Sequence, residues 1–119
     1  MPIVANTAYP RLAANPRPAE LEDAFTPTEV ELSFASQHTR RAGPRLALLI
    51  LLKTFQRLGY FVLLADVPLA IVSRIAVTAD LWEVTEELAS YDSSTYRVRL
   101  MALIRGFVGV AGYDRSARA

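Results

Sequence analysis

The chain reads as an all-α domain, a compact bundle of five or six short helices, and three observations carry that expectation. Residues 45–58, RLALLILLKTFQRL, run without a breaker and end at Gly59, a residue suited to a left-handed helix cap. Proline, or a capping Thr, Asp or Ser, stands at the start of each other candidate helix. The strand-like apolar run from Tyr60 to Leu64 has no alternating segment to pair with and no Asn-Gly hairpin beside it, so it reads as a packed connector.

Taken in order, residues 1–17 contain Pro2, Pro10 and Pro16 and predict an extended arm that packs through Tyr9 and Leu12. Pro18 then opens a two-turn helix to Phe25, with Glu20, Glu22 and Asp23 near the positive end of its dipole. Thr26 as N-cap, Pro27 at the first helical position and Glu29 three residues on predict a capping box for a helix over 27–37. Thr39 to Pro44 reads as a basic turn before the central helix, Arg45 to Leu58. On that helix, expected to be the most buried element, Ala47, Leu48, Leu51, Leu52, Phe55 and Leu58 share a broad face, while Arg45, Lys53, Gln56 and Arg57 lie opposite with Leu46 and Leu49 among them. The wheel leaves open whether Lys53 and Arg57 are exposed or snorkel from a buried helix.

Val67-Pro68 opens the next helix, which ends near Thr78 and has Leu69, Ile71, Val72 and Ile75 as its apolar positions. Asp80 with Glu83 predicts a second capping box for a helix over 81–89 that offers Trp82, Val84 and Leu88 to the core, broken at Ser90 to Asp92. Ser93 or Ser94 caps a last helix from Thr95 to about Val108, closed by Gly106, Gly109 and Gly112. The predicted division is an arm over 1–17, a helical domain over 18–112 with room for helix-turn-helix units, and a frayed tail over 113–119.

A length of 119 residues suits one domain. No uncharged apolar run approaches the roughly 20 residues that cross a bilayer, so no membrane partner is expected. The amino terminus lacks the order of a signal peptide and the chain has no Cys, which points to the cytoplasm as the expected compartment. Without Cys and with a single His, neither a zinc site nor a cysteine nucleophile is expected, and no cofactor motif appears. His38 stands alone in a polar turn, far from the pattern of a catalytic base. Glu86 and Glu87 are adjacent, hence about 100° apart on a helix, and do not share a proton or a metal. The glycine-rich run Gly106 to Gly112 follows a helix, whereas a phosphate-cradling loop precedes one. No catalytic residues are predicted.

The formal net charge of +1 hides a segregation. Residues 1–38 carry two Arg against five acids, whereas residues 39–80 carry six basic side chains against two acids. A further cluster, Arg97, Arg99 and Arg105, lies on the last helix. Twelve of the thirteen basic residues are Arg, whose planar fork pairs with phosphate or a guanine edge, although a GC-rich coding sequence would also enrich Arg. On the last helix Leu100, Leu103, Ile104 and Phe107 form the inward stripe and leave Arg99, Ala102, Arg105 and Gly106 outside. Small residues beside Arg suit a helix laid in a DNA groove, or equally an ordinary solvated face. Arg40 and Arg41 read as a phosphate clamp or a solvated turn. Tyr91, Tyr96 and Trp82 either stack on bases or fill the core.

Several segments together resemble the amino-terminal region of the Tn-three family of replicative transposases. YPRL (Tyr9 to Leu12), TPTEVEL (Thr26 to Leu32), LALLILLKTFQRLGYF (Leu46 to Phe61), the proline-started helix at Val67-Pro68 and YDSSTYRVRLMALIRGFVGV (Tyr91 to Val110) occur in the family's order and spacing. The resemblance implies a helical domain that recognises the terminal inverted repeats of a transposon as double-stranded DNA, with Arg97, Arg99 and Arg105 in the groove and Arg40, Arg41 and Arg45 on backbone phosphates. The family's catalytic acids lie far downstream, so the chain is expected not to cut or join DNA alone. Its expected partners are DNA and the rest of a transposase or another subunit. The rival from another class is a protein-interaction domain that uses the same basic patch on an acidic partner.

Overall fold

A computed structural model describes residues 12–112, and the fold is all-α. Five α-helices and two 3₁₀ helices appear among the described residues: α1 (Pro18–Phe25), α2 (Glu29–His38), α3 (Ala42–Leu58), η1 (Leu64–Asp66), α4 (Leu69–Ala79), η2 (Trp82–Ser93) and α5 (Thr95–Gly112). Helix α3 is the hub and packs against every other described element. Leu46 to Leu52 are almost wholly shielded from solvent on all sides, so α3 is the most buried element as expected, and Leu46 and Leu49 among its polar residues are covered as well. A helix apolar all round is a helix covered all round. Truncating any one of these leucines costs about 2–5 kcal/mol.

The predicted starts need three corrections. Thr28, not Thr26, caps α2: its Oγ1 accepts the Glu31 N–H at 3.1 Å, and Glu31 Oε1 accepts the Thr28 N–H at 2.9 Å. Thr26 instead donates its hydroxyl to the Leu21 carbonyl at 3.0 Å, finishing α1. Helix α3 begins at Ala42, so the predicted basic turn shrinks to Thr39–Arg41; Pro44 sits in the first turn, where its missing N–H costs nothing. Gly43 is there because η2 lies against it, with Glu87 Oε1 and the Tyr91 hydroxyl in the space a Cβ would take. Gly59 closes α3 as predicted, in the left-handed region with φ 87° and its N–H donated to the Phe55 carbonyl at 2.8 Å.

Asp80 likewise ends a helix where the sequence predicts that it starts one. Its backbone is left-handed, with φ 61°, and its N–H goes back to the Ala76 and Val77 carbonyls of α4. The segment after it is 3₁₀ rather than α, runs on through Ser90 to Ser93, and bends at Val84. Leu88 and Tyr91 enter the core, Val84 packs at its margin, and Trp82 faces solvent. Helix α5 continues through Gly106 and Gly109 instead of stopping at Val108. Interior glycine costs a helix only about 1 kcal/mol, and the Phe107 ring stacked 4.2 Å from Phe34 anchors this stretch to α2. The proline-containing arm is described only from Leu12, which packs at the core margin, and the tail at 113–119 lies outside the described residues.

Candidate functional site

The cationic side chains of this fold divide by what their neighbours do to them. Acids of the first two helices take up cations of the middle block. Glu31 meets Lys53 at 2.9 Å with both side chains only 7% exposed, Glu20 meets Arg57 at 3.0 Å, and Glu22 meets Arg74 at 3.5 Å. Lys53 is therefore buried and paired, whereas Arg57 stays at the surface. Gln56 adds a hydrogen bond to the second Glu31 oxygen at 2.9 Å. Burial alone would raise the Glu31 carboxyl, but the hydrogen bonds from Thr28, Gln56 and Lys53 outweigh it and hold the group below its ordinary value.

Two of the six arginines singled out in the sequence are also occupied. Arg97 reaches Asp92 at 3.4 Å, and the same carboxylate accepts the Leu64 N–H at 2.6 Å and the Ala65 N–H at 2.9 Å. Asp92 thus caps η1 from across the fold and ties it to the first turn of α5. Arg45 donates Nε to Thr39 Oγ1 and Nη2 to the Thr39 carbonyl, each at 3.1 Å, bracing the link between α2 and α3.

The other four are exposed, and among the described residues none has a carboxylate at ion-pair distance. Arg40 and Arg41 project from the three-residue link before α3. Arg99 and Arg105 lie on the outer side of α5 with Ala102 and Gly106, as the helical wheel predicts. Ser94 fixes the start of this helix by accepting the Tyr96 N–H at 3.0 Å. Each of the two helix arginines rests on a ring: the Arg99 guanidinium is 5.9 Å from the Tyr96 centroid and that of Arg105 is 5.1 Å from the Phe61 centroid. Tyr96 in turn sits edge-on to Tyr91 at 6.2 Å, whose hydroxyl donates to Glu87 at 3.0 Å. Burial, and then the Glu87 hydrogen bond and charge, push the Tyr91 phenol up, while Arg41 acts in the opposite sense. Arg41 therefore lies within electrostatic reach of the tyrosine pair that backs Arg99.

A family model described as a domain of unknown function, DUF4158, matches residues 5–119. The chain belongs to the DUF4158 family. No curated protein and no solved structure matches it.

Within this DUF4158 chain the exposed guanidinium groups offer fixed positive charge and many N–H donors on helical supports, a surface suited to phosphate oxygens or carboxylates. His38 is exposed, with its ring 5.0 Å from Phe34, and no described hydroxyl is hydrogen-bonded to it. Glu86 and Glu87 both lie at the surface of η2, with Glu87 turned to Tyr91. Sequence reasoning missed Asp92 and Thr39 as the residues that occupy Arg97 and Arg45. The available signal was their spacing, five and six residues ahead of the arginines across a helix start.

Proposed function

We propose that this DUF4158 chain is a double-stranded-DNA-binding domain that recognises transposon terminal inverted repeats. Arg99 and Arg105 on α5 enter the groove, and Arg40 and Arg41 hold backbone phosphates. The observation that carries the reading is the set of four exposed arginines without carboxylate partners among the described residues, two on one side of a helix beside Ala102 and Gly106. The resemblance of LLKTFQRLGYF and of the α5 segment to Tn-three family transposases supports it and gives DNA as the ligand. On this reading the chain binds without cutting, and the strand chemistry belongs to the remainder of a transposase. Arg97 and Arg45, engaged by Asp92 and Thr39, act as positioning residues for α5 and for the α2–α3 link.

The test is a fluorescence-anisotropy titration against a terminal inverted repeat and a scrambled duplex of equal length, at about 50 and about 200 mM salt. The expected result is tighter binding to the repeat, with a steep loss at the higher salt. Arg99→Ala is expected to weaken the repeat by roughly 1–3 kcal/mol and to narrow the preference, whereas Arg41→Ala weakens both duplexes alike and lowers the salt slope by about one. Absence of binding at the lower salt would overturn the proposal and favour a protein partner for the same arginines.

A further inference from the structure

The ten residues from Val77 to Glu86 present a surface of the opposite character to α5. Trp82, the single Trp of the chain, is 60% exposed, and Val77, in the last turn of α4, is 68% exposed. Asp80, Glu83 and Glu86 of the same ten residues are exposed as well. Unlike Glu20, Glu22 and Glu31, these three acids have no cation at ion-pair distance among the described residues. A large aromatic ring held in water within a short segment of unpaired charge has the composition of a binding anchor.

A complementary surface exists on the same chain. Val98 is 65% exposed on α5 next to Arg99, with Arg105 further along the helix. Apolar contact with unpaired cations there matches apolar contact with unpaired acids on η2, and a net charge of +1 leaves little long-range repulsion between two copies. We propose that, when no DNA is bound, the Val77–Glu86 patch docks the Val98, Arg99 and Arg105 face of a second copy of this chain, head to tail, with Trp82 as the apolar anchor, so that self-association and DNA compete for the same two arginines. Such an interface joins two different patches, so neither has to be self-complementary.

Sedimentation velocity without DNA tests it. At about 50 mM salt the weight-average mass is expected to rise above 13.2 kDa with concentration, and to fall back to it at about 500 mM, where charge attraction is screened. Trp82 emission shifts to the blue as the ring leaves water. Trp82→Ala is expected to weaken association at least about tenfold. The double variants Glu83→Arg/Glu86→Arg and Arg99→Glu/Arg105→Glu are each expected to stay monomeric, and an equimolar mixture of the two to associate again. All five positions are at the surface, and circular dichroism checks that each variant keeps its helix content. A mass fixed at 13.2 kDa under every condition, association that survives Trp82→Ala, or a mixture that stays monomeric would each overturn the proposal. Because the readout contains no DNA, its failure is distinct from failure of the DNA titration.

Discussion

Removing the charge of Glu31 should destabilise the fold more than removing its partner, and the geometry says why. At 2.9 Å and an effective dielectric constant of about 20, the attraction between Glu31 and Lys53 is about 6 kcal/mol, most of which offsets the cost of drying two side chains that are each 7% exposed. In Glu31→Gln the Lys53 ammonium stays buried against a neutral amide, at a cost of about 3 kcal/mol or more. In Lys53→Met the carboxylate keeps the Thr28 N–H and the Gln56 amide, so the loss is expected to be smaller by about 1 kcal/mol. Urea denaturation of wild type, both single variants and the double variant closes the cycle. Additivity within about 0.5 kcal/mol would refute the coupling. The pH dependence adds a second check. The folded Glu31 carboxyl lies below its ordinary value of 4.5, so its contribution is complete above that pH and is lost as pH falls through the lower folded value. The advantage of wild type over Glu31→Gln should therefore shrink only on acidification below 4.5.

Three further outcomes follow from the contacts described above. Gly43→Ala is expected to cost about 1–3 kcal/mol in thermal or urea unfolding, and less in a Tyr91→Phe/Glu87→Ala background, because the added methyl meets those two side chains. Asp92→Ala leaves the Leu64 and Ala65 amides and Arg97 without their shared acceptor; a loss of about 2–3 kcal/mol, with faster hydrogen exchange at both amides, is the expected readout. Arg97→Ala should lower the melting temperature, whereas Arg99→Ala should leave it unchanged while weakening DNA; equal effects of the two on stability would contradict their different surroundings.

Where the sequence was legible, one helix decided its own structure. The run from Leu46 to Leu52 has no alternative to burial, Gly59 has no rival as a cap, and the 100° wheel on α5 separates Arg99 and Arg105 from Leu100 and Ile104. Where it failed, a residue from another element decided. Thr26 and Thr28 each have a Glu three positions on, and Pro27 favours the earlier start. The later one prevails with the Glu whose carboxylate also meets Lys53 and Gln56 of α3. Asp80 has the composition of an N-cap but serves α4, whose last carbonyls need donors. Trp82 looks like core by type and lies outside because η2 bends at Val84 and spends its inward positions on Leu88 and Tyr91. At the candidate site, the periodicity of α5 places arginines on a face, but the turning of Arg97 to Asp92 depends on where η1 lies.

That every other described element packs on α3 has a consequence for how the chain can be divided. Each peripheral element borrows its apolar cover from the same seventeen-residue rod, and the rod is soluble only while they surround it. Among the described residues the buried side chains form one core around this rod, so a cut that removes α1 and α2, or η2 and α5, exposes leucines of α3. The described helices therefore hold or unfold together, and the arginine-bearing helix cannot be carried to another scaffold without bringing the rod along.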